Sequence, residues 1–185
     1  MMFRFLLRKL EELGARFFQP IPEDFYSVET GSLFRHCIEC QDDLSGENAT
    51  YLIEKVFQQE EVIFEYALCH RCAKNLRQEL SKDSLQTMKR ALQQSSVRKT
   101  VDQCRVCELP RHDLLSYTIV GMCLGSDMLY HDVPILLCEP CLEDIVANFS
   151  QQTKDTLDDF QDRNFPGPPG LEEDLPKPKR KVVLV

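Results

Sequence analysis

The sequence predicts an α+β protein in which one small zinc-binding unit, a knuckle followed by a β-hairpin and a helix, is used twice. Four Cys-x-x-Cys pairs, a register that repeats beyond those cysteines, and alternating apolar segments that give way to helical ones at each second pair predict it. The pairs are Cys37/Cys40, Cys69/Cys72, Cys104/Cys107 and Cys138/Cys141. Residues 41–68 and 108–137 separate them two by two, loops long enough to fold back and bring four thiolates to one point. A tetrahedral zinc ion takes that ligand set, so two zinc ions are expected, one on each group of four. Tetrahedral thiolate sets also accept iron.

The repeat is internal to the chain. A shift of 69 residues lays Cys69 and Cys72 on Cys138 and Cys141, Ser81 on Ser150, each where a helix N-cap would sit, Ser84 on Thr153 and Met88 on Leu157. A shift of 67 lays Cys37 and Cys40 on Cys104 and Cys107. The difference falls in loops, where length changes are tolerated.

In chain order, residues 1–33 form an N-terminal helix and connector. Phe3, Leu6, Leu7, Leu10, Leu13 and Phe17 recur at helical spacing, with Arg4, Arg8, Glu11, Glu12 and Arg16 on the other face. Pro20 and Pro22 end that helix, and Glu23 to Leu33 reads as an extended connector. Residues 34–100 form the first unit: the knuckle at Cys37, strands over Thr50 to Phe57 and Val62 to Leu68, then a helix opened by Cys72. Its apolar stripe runs through Ala73, Leu76, Leu80, Leu85, Met88 and Leu92. Residues 101–163 repeat the plan, with strands over Leu114 to Met122 and Val133 to Leu137. Pro140 suits the first turn of the following helix, where its missing amide hydrogen costs little. Cys123, the ninth cysteine, lies in an apolar run and reads as a small buried hydrophobe. Residues 164–185 form a tail rich in proline and glycine. It ends in the basic run Lys177 to Lys181 and the apolar Val182 to Val185, which reads as a nuclear import signal or as a short strand for a sheet edge.

A knuckle, a hairpin and a helix begun at the second cysteine pair resemble the treble-clef, zinc-ribbon-like class of zinc fingers, over roughly residues 34–162. The resemblance implies structural zinc held by the eight paired cysteines. One enzyme branch of that class, the HNH-type nucleases, carries catalytic histidines on the hairpin and helix. Here the helix starts, Ala73 to Arg77 and Leu142 to Val146, hold no histidine, and His112 and His131 are not spaced as that motif requires. None of His36, His70, His112 and His131 is needed as a ligand.

Nine cysteines would also fit a secreted disulfide framework. Charges break the apolar pattern of residues 1–13, so no signal core is legible there, and a reducing cytoplasm with metal-bound thiolates is the expectation. No stretch approaches a membrane span. The net charge is -8, and it is uneven: residues 1–100 hold 15 acids and 14 bases, residues 101–185 hold 15 acids and 8 bases. The segment 71–99 is basic and 139–162 acidic. Equal and opposite charge on corresponding segments suggests that the two units face each other, within one chain or across a homodimer.

These features point to a zinc-binding structural or adaptor protein that presents surfaces to another protein. A nucleic-acid-binding, transcription-associated factor acting through the basic helix 71–99 is the alternative, weakened by the lack of interleaved aromatic residues. A thiol-disulfide oxidoreductase is a second one. No catalytic residues are assigned, because all-cysteine sites leave no open coordination position.

Overall fold

The computed structural model describes residues 18–93, 101–129 and 134–165. The expected N-terminal helix and the C-terminal tail beyond Phe165 lie outside them. Within them the chain is mixed α and β, with a six-stranded antiparallel sheet and four α-helices. The elements are β1 (Phe18–Pro20), β2 (Thr50–Gln58), β3 (Glu61–Cys69), α1 (His70–Glu79), α2 (Lys82–Gln93), β4 (Ser116–Leu124), β5 (Asp127–Leu129), β6 (Ile135–Cys138), α3 (Glu139–Ala147) and α4 (Gln151–Asn164).

β2 and β3 form a hairpin through a two-residue turn at Gln59 and Glu60, both with positive φ (50° and 68°). That pair of left-handed residues gives the turn whose twist matches paired strands. β4 pairs with β6 over Tyr117 to Val120 and with β5 over Cys123 and Leu124. β5 in turn pairs with β1.

The two hairpins join edge to edge. β2 and β4 run antiparallel along their whole lengths, from Thr50 opposite Leu124 to Gln58 opposite Ser116, with Glu54 opposite Val120 at the centre. One sheet therefore carries both cysteine groups. Its core includes the fully buried Tyr51, Ile53, Tyr66, Leu68, Tyr117, Ile119, Leu136 and Leu137. Burying such side chains is worth roughly 1.5–3 kcal/mol each, and neither hairpin alone has a second strand pair to bury them against.

The helical stripe read as continuous from Cys72 to Leu92 breaks at Leu80 and Ser81 into α1 and α2. The reason is capping: the Ser81 hydroxyl accepts from the Ser84 amide at 3.1 Å, and Ser150 accepts likewise from Thr153 at 3.2 Å at the start of α4. The first helix also opens earlier than expected, with Cys69 rather than Cys72 at the N-cap.

The helix pairs meet crosswise, α1 against α4 and α2 against α3. Hydroxyls join the two caps. The Ser81 amide donates to Thr153 Oγ1 at 3.0 Å, the Ser150 amide to Ser84 Oγ at 2.9 Å, and the Ser150 and Ser81 hydroxyls lie 2.9 Å apart. Basic and acidic helices thus meet within one chain, through a partly buried polar contact that joins both N-caps.

The connector at Glu23 to Leu33 is not simply extended. Glu23–Phe25 forms a turn of 3-10 helix, and Ser27 bridges to Ser32. Phe25 is fully buried against the sheet at Gly121, where an added Cβ would approach the Phe25 ring to 2.8 Å and Met128 to 2.6 Å.

Candidate metal centres

All eight paired cysteines converge in two groups. Cys37, Cys40, Cys69 and Cys72 form one, Cys104, Cys107, Cys138 and Cys141 the other, and within each group the sulfurs lie within 4.8 Å of one another. Two devices position them. At each knuckle the chain reverses through a residue with positive φ, Gln41 (61°) or Glu108 (62°). The Gln41 amide donates to the Cys37 carbonyl at 2.9 Å, and the Glu108 amide to the Cys104 carbonyl at 2.9 Å. Each knuckle then docks on the strand that delivers the second pair: Ile38 N donates to the Ala67 carbonyl at 2.9 Å, Arg105 N to the Leu136 carbonyl at 2.7 Å.

Backbone amides also reach the sulfurs. Cys69 N donates to Cys37 Sγ at 3.3 Å, Cys138 N to Cys104 Sγ at 3.4 Å and Cys72 N to Cys69 Sγ at 3.5 Å. α1 and α3 begin at the centres, with their N-terminal partial positive charge beside the thiolates. Such contacts favour the charged sulfur that a metal needs.

The donor set fits a tetrahedral cation. Cys40 and Cys69 sulfurs are 3.7 Å apart, as are those of Cys107 and Cys138. A metal–sulfur bond of about 2.3 Å in a tetrahedron places ligand sulfurs about 3.8 Å apart, whereas a disulfide holds them at about 2.05 Å. All nine cysteines are free thiols. Without a cation the sulfurs oppose one another. Burial and neighbouring sulfurs raise Cys72 and Cys141, while backbone amides outweigh burial at Cys104 and bring it down to about 7. A divalent ion reverses that conflict by stabilising all four thiolates together, so metal uptake releases protons.

No histidine belongs to either group among the described residues. His36, His70 and His112 are exposed, and His131 lies outside the described part. Cys123 stands apart on β4, fully buried beside Tyr51, and burial pushes its thiol up to about 12. It is a poor nucleophile. The centres differ in exposure: Cys107 is exposed, whereas Cys40 is half-buried. The first also has Arg71 beside it, whose guanidinium bonds Asp42 at 2.9 Å and reaches toward Cys40. Pro140 occupies the matching position in the second.

Sequence reasoning missed a polar cluster in the first hairpin. Glu54 is fully buried and accepts from the Tyr66 hydroxyl at 2.7 Å. On the opposite face buried Lys55 pairs with Glu65 at 3.1 Å and bonds the Tyr26 carbonyl, while Glu65 accepts from Ser27 Oγ and Val28 N, each at 2.9 Å. The signal was present as charges inside an otherwise apolar strand. No helix among the described residues is long and apolar enough to cross a membrane. Comparison of the chain with protein-family models, curated proteins and solved structures finds no match.

Proposed function

We propose that the chain is a duplicated treble-clef unit that holds one structural zinc ion in each half and works as an adaptor for another protein in a reducing, cytoplasmic compartment. The observation that carries this reading is the closed, all-thiolate donor set repeated at two points of one sheet. Four thiolates fill the tetrahedron, so no position remains for water or substrate, and zinc supplies folding energy rather than a reaction centre. Thiol exchange fits poorly, because one exchange reaction needs a single cysteine pair and each group here draws on two.

What remains for function is surface. Lys74, Arg77, Lys82, Lys89 and Arg90 are exposed on α1 and α2, and Glu143, Asp144, Asp155, Asp159 and Asp162 on α3 and α4. A protein partner with charge of both signs matches that pair of faces, and such complementarity sets orientation and association rate. Elemental analysis of purified native protein, with a thiol titration, tests the metal part. Two zinc ions per chain and one slowly reacting thiol, Cys123, are expected; metal-free protein with paired disulfides would sink it.

The exposed basic face of α1 and α2 also favours a second reading, nucleic-acid binding. That reading requires affinity to fall steeply between 50 and 200 mM salt, as released counterions dictate. A protein adaptor gives no binding to nucleic acid above that of a neutral control.

A further inference from the structure

Among the described residues β3 is the last strand on its side of the sheet, with β2 along one flank. On the other flank Ile38 donates to the Ala67 carbonyl near the strand's end. Backbone groups two residues apart point the same way, so the amide and carbonyl of Glu65 also face outward. Beside them Ile63 is 44% exposed, and Glu60 and Glu61 stand exposed where the strand begins. Ile63 is skipped in the β2–β3 register, a bulge opposite Val56 and Phe57, so the outward backbone groups of the regular strand are those of Glu65. Among the described residues this edge is uncovered at Glu65, and an uncovered edge is a template for another strand.

The chain leaves the described part at this same edge. α4 ends with Arg163 and Asn164 bonded to Glu39 at 3.3 and 2.8 Å, and the Phe165 ring lies on Phe64 of β3 with centroids 4.1 Å apart. Residues 166–185 follow, with four basic residues at Lys177, Lys179, Arg180 and Lys181 ahead of Val182 to Val185.

We propose that Val182–Val185 add to the outer edge of β3 as a further strand, drawn there by the basic run against Glu60 and Glu61. The intervening chain, residues 166–181, can span up to roughly 50 Å and needs far less, so the tether keeps the segment at high effective concentration. A second copy fits the edge less well. Two β3 strands side by side would bring Glu60, Glu61 and Glu65 of both copies to one seam, and like charges across a strand pair are destabilising.

Amide exchange at Glu65, measured in the full metal-loaded chain and in its Val183→Pro variant, tests this. Proline removes a backbone donor from the tail and leaves the described fold untouched. The Glu65 amide is expected to be protected in the native chain and to exchange at least about tenfold faster in the variant, with Ile53 and Leu68 unchanged. Equal rates in the two chains overturn the proposal. Protection that vanishes when the native chain is diluted overturns it too, in favour of a second copy.

Discussion

The two halves of the sheet agree at their four-cysteine groups and diverge at their middles. Knuckle turn, docking bond, amide-to-sulfur bond and sulfur spacing recur in both halves within 0.2 Å, as in Ile38 to Ala67 at 2.9 Å and Arg105 to Leu136 at 2.7 Å. The central strands share Tyr51 and Tyr117, and Ile53 and Ile119, at matching positions. Their next residues part company: Glu54 and Lys55 in β2 stand where Val120 and Gly121 stand in β4. A tetrahedral ion tolerates little variation in its ligands. The sheet between two such centres is fixed at both ends, and its middle is free to take another task. Here the task is holding the N-terminal segment. Gly121 makes room for Phe25, Lys55 and Glu65 bind the backbone at Tyr26 and Val28, and Arg111 clasps Asp24 with two bonds of 3.1 Å.

The sharpest way to break this comparison is to remove one metal. A structural zinc site is worth about 10–16 kcal/mol, which matches or exceeds the roughly 5–15 kcal/mol total stability of a typical domain. β2 and β4 pair along their full length, so loss of one half is expected to carry the other with it. Cys72→Ser and Cys141→Ser are each expected to unfold the whole chain, seen as loss of dispersed amide signals from both halves. A variant that keeps one half folded would show two independent units instead.

Next comes the asymmetric middle. Phe25→Ala empties a fully buried site and is expected to cost about 3–5 kcal/mol. Gly121→Ala forces a Cβ against the Phe25 ring and Met128 and is expected to cost about 1–3 kcal/mol. Denaturant titration measures both. A neutral Gly121→Ala would mean that the N-terminal segment does not rest on the sheet as described.

Much of this architecture is legible in the sequence, and the part that is not has a physical reason. The eight cysteines announce their grouping through spacing, and alternation locates β2, β3, β4 and β6 to within a few residues. Pairing of β2 with β4 leaves no local trace. It joins residues about seventy apart, and either strand would read the same if it packed elsewhere. The connector hides for a related cause: Phe25 gives no sign that its pocket is a glycine on β4. The capping serines are visible as a repeated residue, but nothing in sequence says that the two caps bond each other. Oppositely charged segments were the clue that they face, and hydroxyls make the contact.

The buried polar pair at the centre sharpens the contrast further. Tyr66→Phe takes a donor from a buried carboxylate and is expected to cost about 1–3 kcal/mol, the penalty for leaving such a group less well bonded. Ile135 stands at the matching position in the second half, so Ile135→Val should cost about 0.5–1.5 kcal/mol, the usual loss of one buried methyl group. If Tyr66→Phe cost less than Ile135→Val, the polar pair would not bind the hairpin as drawn.

Alkaline titration separates the central tyrosines from the rest. Burial raises Tyr51, Tyr66 and Tyr117 above the usual value near 10, with Glu54 adding to the shift at Tyr66 and Arg111 opposing it at Tyr117. A phenol with a raised folded pKa contributes stability that is fully present below the unfolded value and is lost as pH climbs through the folded one. Absorbance at the phenolate band should therefore show these three ionising late, together with unfolding. Early ionisation of all five tyrosines would contradict their burial.

The smallest effect probes a difference between the centres that touches their chemistry. Arg71 stands over the first with its charge near Cys40, whereas the second has Pro140 there and an exposed Cys107. A nearby cation favours thiolates and hinders the protonation by which a chelator strips a metal. The first centre should release its ion more slowly than the second, and Arg71→Gln should narrow that gap from the first centre's side without altering the fold. Release rates followed with a colorimetric chelator decide it. Two equal phases in the native chain would mean that the four sulfurs and their amides alone set metal retention, and that the surroundings of the two centres differ without consequence.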